Sequence, residues 1–284
     1  MRKISWQMVL GLAIAVGLAL PAASVPASAA GASVKFGVCD WTLGKSGDPA
    51  ALALAGKLGF EGVQVSLDPA GEDLALMKEE ARRTFLAAAE TTGVAIASFA
   101  IGKLNDIPLK SDPRAERWLE QACVIGAAMN VRRVLVPFFG NGDLRNDAKG
   151  VDAVVAVLKR LAPKAEKAGI VFALESYLSA DENLKIIQRV GSSAVRVYYD
   201  VANSSEVGLD IFKEIPALGE KIVEFHAKDN MDLYGKGPID FTRVRKAMDE
   251  IGYVGWFVFE GTKYPLGLEA SLRYDLDFLK SVYR

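Results

Sequence analysis

Eight short apolar segments, separated by longer amphipathic ones, constrain the fold of this chain more than any other feature of its sequence. They are rich in Val, Ile, Phe and Tyr, as β-strands are, and they span residues 34–39, 62–67, 94–99, 131–138, 170–175, 195–200, 221–226 and 254–260. The patterns between them are helical. Asp48-Pro49 is typical of a helix start, and glycines follow predicted helices at positions 59, 93, 169, 191 and 252.

This alternation continues from residue 34 to a last predicted helix over roughly residues 265–283. Eight strand–helix units over about 250 residues predict an α/β fold, a single (β/α)8 TIM barrel. A doubly wound open sheet is the alternative, but it would place a glycine-rich phosphate loop after the first strand. This chain has Cys39-Asp40-Trp41-Thr42 there.

The N-terminal 29 residues have the pattern of a secretory signal peptide. A basic segment, MRKISWQ, precedes the apolar VLGLAIAVGLAL and the cleavage site Ala27-Ser28-Ala29. We therefore expect a signal peptide over residues 1–29, a barrel domain over residues 30–284, and a periplasmic or secreted product. An uncleaved membrane anchor is the alternative, although the apolar core is short for a membrane span. Cleavage would leave no stable membrane anchor.

The amino-acid composition limits the classes of molecule that this chain is expected to bind. The hydrophobic content of 51% suits a large core, and a net charge of −1 with interspersed acids and bases argues against nucleic acid as a partner. The composition leaves open whether the protein forms a homo-oligomer. The two cysteines, Cys39 and Cys123, fall in a predicted strand and a predicted helix, so we expect two buried thiols, although an exported protein could form a disulfide.

Four of the late predicted strands end in a residue type that binds metals: Glu175, Asp200, His226 and Glu260. In a barrel, the C-terminal strand ends surround the functional site. Counting back by twos predicts a shared inward face with Ala173, Tyr198, Glu224 and Val258, and an outward face with Leu174, Tyr199, Phe225 and Phe259. The same count points Arg196 and Glu224 inward and predicts that they pair.

Three converging carboxylates repel one another unless a cation compensates their charge. A divalent ion would do so. One imidazole with three carboxylates is an oxygen-rich ligand set that favours Mn²⁺ or Mg²⁺, with Co²⁺ or Zn²⁺ as alternatives. His226, the only histidine of the chain, is therefore predicted to be a metal ligand.

The segments VFALES, VYYDVAN, FHAKDN and FVFEG, with GFEGVQVSL and VRRVLVPFF, resemble the sugar phosphate isomerase/epimerase superfamily of xylose isomerase-like TIM barrels. The resemblance implies one divalent metal bound by Glu175, Asp200, His226 and Glu260. It also implies that Glu175 and Glu260 are the catalytic acid and base, acting on a small carbohydrate.

The resemblance implies a metal-dependent sugar isomerase or epimerase that abstracts a proton next to a carbonyl through a metal-stabilised enediolate. A keto-glycoside or keto-sugar lyase with the same metal and glutamates is one alternative, and a non-catalytic sugar-binding barrel is another. The chain departs from the usual epimerase pattern, with Asn203 at a common histidine position and Lys228-Asp229-Asn230 where an arginine is frequent. These departures leave the substrate open, and export favours a free or oxidised sugar or a glycoside over a sugar phosphate.

Six further residues are predicted to contact the substrate or support the metal ligands. Trp41 is expected to stack on a sugar ring and Gln64 to bond a hydroxyl, and Lys236 lies in a glycine-rich loop that could close over the mouth. The full set is Trp41, Gln64, Asn203, Lys228, Asp229 and Lys236.

Overall fold

A closed barrel of eight parallel strands forms the centre of the computed structural model, which describes residue 1 and residues 34–230, 232–261 and 263–283. Neighbouring strands follow one another around the barrel in chain order, and the last strand pairs with the first. The single TIM barrel predicted from the sequence is confirmed. The predicted signal-peptide cleavage site lies outside the described residues.

The barrel strands coincide with the eight predicted segments to within two residues at either end. They are β1 (Lys35–Cys39), β2 (Gly62–Ser66), β3 (Ala95–Ala100), β4 (Arg133–Phe138), β5 (Val171–Ser176), β6 (Val195–Asp200), β7 (Ile222–Ala227) and β8 (Trp256–Phe259).

Helices fill the connections and cover the outside of the barrel. They are α1 (Ala50–Leu58), α2 (Glu79–Thr92), α3 (Pro113–Met129), α4 (Ala148–Ala168), α5 (Ala180–Val190), α6 (Val201–Glu206), α7 (Ile211–Leu218), α8 (Phe241–Glu250) and α9 (Leu268–Tyr283). A two-residue hairpin, Pro69–Ala70 with Asp73–Leu74, lies between β2 and α2. The last helix begins at Leu268, slightly later than predicted.

The predicted helix boundaries follow from local chemistry. The side chain of Asp48 accepts a hydrogen bond from the backbone N–H of Ala50 over 2.8 Å, and Pro49 already has helical angles. Gly59 ends α1 at a φ of 92°, a conformation that strains residues with a Cβ. The other glycines predicted at helix ends also have positive φ: Gly93, Gly169, Gly191 and Gly252.

Strand alternation separates an inner from an outer core, as the sequence predicts. Leu174, Tyr199, Phe225 and Phe259 belong to the large outer cluster between strands and helices. A smaller cluster fills the barrel interior, with Ala100, Leu135, Ala173 and Tyr198 as its buried members. The strand-end residues that share the inward face therefore project into the mouth of the barrel.

The predicted pair between Arg196 and Glu224 is wrong. Glu224 lies in the ladder opposite Tyr198, because the pairing of β6 with β7 shifts register between Val197 and Tyr198. Its closest cation is Arg133, with Nε 3.7 Å from Glu224 Oε2. Arg196 instead donates to the backbone oxygens of Ser192 and Val195.

The two cysteines are free and buried, as predicted. Cys39 lies at the end of β1 and Cys123 in α3. Within the described ranges, no helix combines the length and the apolar character that crossing a membrane requires.

Candidate metal centre and active site

The four predicted metal ligands converge at the C-terminal mouth of the barrel. One ligand atom from each of Glu175, Asp200, His226 and Glu260 lies within 4.8 Å of the other three. His226 Nδ1 is 2.9 Å from Glu175 Oε1, 3.6 Å from Glu260 Oε2 and 3.8 Å from Asp200 Oδ2. The cluster is almost entirely buried, and Glu260 is its most accessible member.

Asp200 combines two tasks at the junction of β6 and α6. Its Oδ1 accepts the backbone N–H groups of Ala202 and Asn203, each over 2.8 Å, and so caps α6. Its Oδ2 is buried without a hydrogen-bond partner in the described part of the chain. Burial, with the charges of Glu175 and Glu260, raises the pKa of Asp200 to about 7, although Lys228 opposes this shift.

His226 uses its two ring nitrogens differently. Nδ1 faces the carboxylates, whereas Nε2 lies 2.8 Å from Oε1 of Gln64. Burial alone would lower the pKa of His226, but the charges of Glu175 and Glu260 outweigh burial and raise this pKa to about 9.

Glu260 is held by two donors from the rim. Trp41 donates its indole N–H to Oε1 over 3.1 Å, and the Lys228 ammonium donates to Oε2 over 3.0 Å. Burial would raise the pKa of Glu260, but the positive charges of His226 and Lys228 hold it below the usual glutamate value. Glu260 is therefore ionised at neutral pH.

These residues fit a divalent cation. The Oδ2 of Asp200 accepts no hydrogen bond from the described residues and lies where water does not reach it, and a buried polar atom without a hydrogen bond is costly. Three carboxylates and one imidazole nitrogen supply the hard oxygen and borderline nitrogen donors that Mg²⁺, Mn²⁺ or Zn²⁺ accept.

A cavity of about 330 Å³ opens beside the cluster. Glu175 and Glu260 both line it, so both carboxylates are accessible to a small molecule. Its walls combine aromatic rings with hydroxyl, amide and carboxylate groups, the mixture that binds a polyhydroxylated ligand. Lining residues outside the cluster include Trp41, Ser66, Asp68, Asn105, Phe139, Tyr177, Asn203 and Lys228.

Three of the six other predicted contact residues line this cavity: Trp41, Asn203 and Lys228. Lys228 Nζ lies 3.1 Å from Asn203 Oδ1 and 3.7 Å from Asp200 Oδ2, besides its bond to Glu260. The lysine thus partly neutralises the carboxylate cluster. Asn203, which stands at a common histidine position, helps to orient that lysine.

The other three predicted residues lie elsewhere. Gln64 is fully buried beneath His226, so its predicted bond to a substrate hydroxyl is wrong. The Asp229 carboxylate packs against Gly237, where any side chain would collide with it. Lys236 is exposed and is not among the described residues that line the cavity.

Several residues that line the cavity were not anticipated from the sequence. Tyr177 follows β5 and packs edge-on against Phe139, with ring centroids 4.7 Å apart. Ser66 ends β2 and donates to Asp40 over 2.6 Å, and Asp68 follows two residues later. Their positions at or just after the ends of strands could have indicated a role in the site, but side chains of these types are common in loops.

The fold and this site define the class of protein. A family model described as the xylose isomerase-like TIM barrel matches residues 52–282, which is most of the chain. The chain therefore belongs to the xylose isomerase-like TIM barrel family, and the resemblance noted in the sequence is confirmed.

Sequence relatives of the chain are named as epimerases. It is 29% identical over 177 residues to 2-epi-5-epi-valiolone 7-phosphate 2-epimerase from Actinoplanes sp., and the match covers 62% of this chain and 65% of that relative, just under two thirds of its length. It is 25% identical over 242 residues to a putative L-ribulose-5-phosphate 3-epimerase from Escherichia coli, with 75% and 82% covered.

Solved structures support the fold. The 3-keto-D-glucoside 4-epimerase from E. coli superposes with a TM-score of 0.74 at 16% identity, over 87% of this chain and 99% of the other. At this identity the likeness shows the fold alone, whereas the two sequence relatives are named as epimerases, which belong to the isomerase class that the sequence predicts.

Proposed function

We propose that this protein is a divalent-metal-dependent sugar epimerase or isomerase that moves a proton on a carbon next to a carbonyl. The observation that carries this proposal is the position of Glu175 and Glu260. Both belong to the carboxylate–imidazole cluster, and both line the same cavity. They extend from β5 and β8, two strands that are not neighbours in the barrel. A substrate in the cavity can therefore meet a carboxylate from two directions.

Glu260 has the properties of a general base. It is ionised, half enclosed and oriented by Trp41 and Lys228 on its two oxygens. A carboxylate so placed can accept a proton from a carbon acidified by a neighbouring carbonyl. Glu175, with Oε1 against His226, is the second proton carrier. Lys228 keeps positive charge beside the pair as they exchange protons.

Glu175, Asp200, His226 and Glu260 would hold the divalent ion. When bound, the ion supplies Lewis acidity towards the oxygens of the substrate carbonyl and of the adjacent hydroxyl. Trp41 offers a ring for the sugar to stack on, and the indole bond to Glu260 fixes its orientation.

The substrate class we propose is an unphosphorylated keto-sugar or keto-glycoside. In the described part of the chain, Lys228 is the one cation that lines the cavity, and Asp200 and Glu260 already pair with it. The cavity is also lined by an exposed carboxylate, Asp68, which would repel a phosphate. Arg145 stacks on the Tyr177 ring but pairs with Asp143 at 2.7 Å.

A periplasmic or secreted location would agree with this substrate class, because sugar phosphates are held inside cells. The N-terminal signal pattern supports that location. The relatives whose names give a phosphorylated substrate would then differ from this chain in their phosphate contacts.

The test is solvent exchange. The chain from residue 30 onward, loaded with Mn²⁺ or Mg²⁺, is incubated in D₂O with free ketohexoses, 3-keto-glucosides and L-ribulose 5-phosphate. Proton NMR should show deuterium entering one carbon next to the carbonyl of an unphosphorylated substrate, with an epimer or isomer as product.

Other outcomes would reject defined parts of the proposal. Exchange with the phosphate ester alone would contradict the substrate class. An unsaturated product would identify a lyase that uses the same glutamates. Bound metal and bound sugar without any exchange would identify a sugar-binding barrel.

A further inference from the structure

A line of hydrogen bonds runs through the closed interior of the barrel from Glu224 to His226. Ser98 donates its hydroxyl proton to Glu224 Oε1 over 2.6 Å. Gln64 donates from Nε2 to Ser98 Oγ over 2.9 Å, and its Oε1 lies 2.8 Å from His226 Nε2. All four side chains are fully buried, so bulk water does not replace these partners.

The direction of every bond follows from the Glu224 end. Glu224 Oε1 accepts hydrogen bonds from two hydroxyls, those of Ser98 at 2.6 Å and of Tyr198 at 3.3 Å, so the single hydroxyl proton of Ser98 points at Glu224. The hydroxyl then has only lone pairs left for Gln64, which fixes the amide nitrogen towards Ser98. The amide oxygen is thereby turned towards His226, where the Cys39 thiol also donates to it over 3.4 Å.

An amide oxygen facing Nε2 requires a proton on Nε2. The neutral imidazole has one N–H and one lone pair, so the lone pair must lie on Nδ1. Nδ1 is the nitrogen that faces Glu175, Asp200 and Glu260. An outer partner that fixes the tautomer of a metal-binding histidine strengthens metal binding.

We propose that Glu224, through Ser98 and Gln64, fixes the imidazole of His226 in the tautomer that presents its Nδ1 lone pair to the metal centre. These three are positioning residues that act through His226 and do not touch the substrate. The inference rests on the proposed function only in assuming that the cluster binds a divalent ion.

The first test uses the fact that His226 is the only histidine. Protein labelled with ¹⁵N-histidine and purified without a histidine tag has one imidazole to observe. In the Mg²⁺-loaded chain from residue 30 onward, the ring proton should be bonded to Nε2 and should exchange slowly with solvent. A proton on Nδ1, with Nε2 unprotonated, would overturn the proposal.

The second test measures Mn²⁺ affinity from the signal of the free ion in electron paramagnetic resonance. Ser98→Ala breaks the line of bonds but leaves the Glu224 side chain in place, and should weaken Mn²⁺ binding by about 10- to 100-fold. Tyr198→Phe is the matched control. It removes the other hydroxyl bonded to Glu224 Oε1, at 3.3 Å, and keeps the ring that packs on His226 at 4.4 Å. Its affinity should stay within about twofold of wild type.

A double-mutant cycle separates positioning from a general packing effect. In a Gln64→Leu background, Ser98→Ala should cause no further loss of affinity, because the line is already broken at Gln64. Fully additive losses would contradict the proposal, as would unchanged affinity in Ser98→Ala or an equal loss in Tyr198→Phe. If Ser98→Ala does not fold, the imidazole spectrum of the wild type still decides.

These measurements do not depend on sugar turnover. Metal binding and the Nε2 proton without deuterium exchange would reject the proposed function alone. Exchange by a protein whose histidine carries the proton on Nδ1 would reject the positioning role alone.

Discussion

Replacing Asp200 with Asn should stabilise the metal-free protein while removing most of its response to metal. The amide oxygen of Asn can still accept the N–H groups of Ala202 and Asn203, so the cap of α6 survives. The change replaces the buried Oδ2, which has no hydrogen-bond partner in the described part of the chain, with an uncharged NH₂ group among carboxylates.

The magnitude follows from the pKa of Asp200, which is about 7 in the folded protein and 3.8 ordinarily. A raised carboxyl pKa means that the folded state binds the proton more tightly than the unfolded state, so stability falls as pH rises from about 4 to about 7. Three pKa units at 1.36 kcal/mol each make this cost about 4 kcal/mol above pH 7. We expect Asp200→Asn to recover about half, since the buried amide loses the attraction of Lys228.

Urea unfolding followed by circular dichroism measures this effect. In EDTA at pH 8, Asp200→Asn should be about 2 kcal/mol more stable than wild type, and the gain should shrink towards pH 4.5. At 100 times the dissociation constant, Mn²⁺ should stabilise wild type by about 2.7 kcal/mol but the variant far less.

Asp275→Asn is a matched control, because burial raises the pKa of Asp275 to about 6 outside the metal centre. It should keep the full response to Mn²⁺. If Asp200→Asn is less stable than wild type in EDTA at pH 8, attraction to Lys228 and His226 exceeds the cost of burial, and the reasoning fails.

Three further predictions concern protons and export. Mn²⁺ affinity should rise with pH, because Asp200 and His226 must lose their protons before the ion binds. About two protons should be released per ion below pH 7 and about one between pH 7 and 9. Calorimetry in buffers of different ionisation enthalpy measures this release, and an affinity that does not change with pH would contradict the prediction. Glu260→Gln should bind metal yet slow deuterium exchange by about 10²-fold, and Glu175→Gln should match it only if both faces of the substrate carbon are used. N-terminal sequencing of exported protein should begin near residue 30, whereas an intact Met1 would refute cleavage.

The barrel was predictable because the local sequence of each segment indicates whether it forms a strand or a helix. Strand segments such as 94–99 are short and rich in apolar and β-branched residues, and helix ends such as Gly59 and Gly169 have a positive φ. The four strand-end ligands were predictable because strand alternation and barrel geometry together bring them to one mouth.

Contacts that depend on register were not predictable in the same way. Arg196 and Glu224 both count as inward, but the shift between Val197 and Tyr198 moves Glu224 level with Tyr198. Strand alternation also predicts that the Gln64 side chain points into the barrel. It lies too deep in the barrel to contact a sugar, and it contacts His226 instead. The position of Lys236 depends on the path of the long loop between β7 and α8, which periodicity does not define.

The central claim is that Glu175, Asp200, His226 and Glu260 form one metal centre beside the substrate cavity. The most direct measurement is anomalous X-ray diffraction from crystals of the chain from residue 30 onward grown with Mn²⁺. We predict one strong anomalous peak bounded by the three carboxylates and by Nδ1 of His226. A peak elsewhere, or full-strength protein density at the cluster without any anomalous signal, would contradict the account.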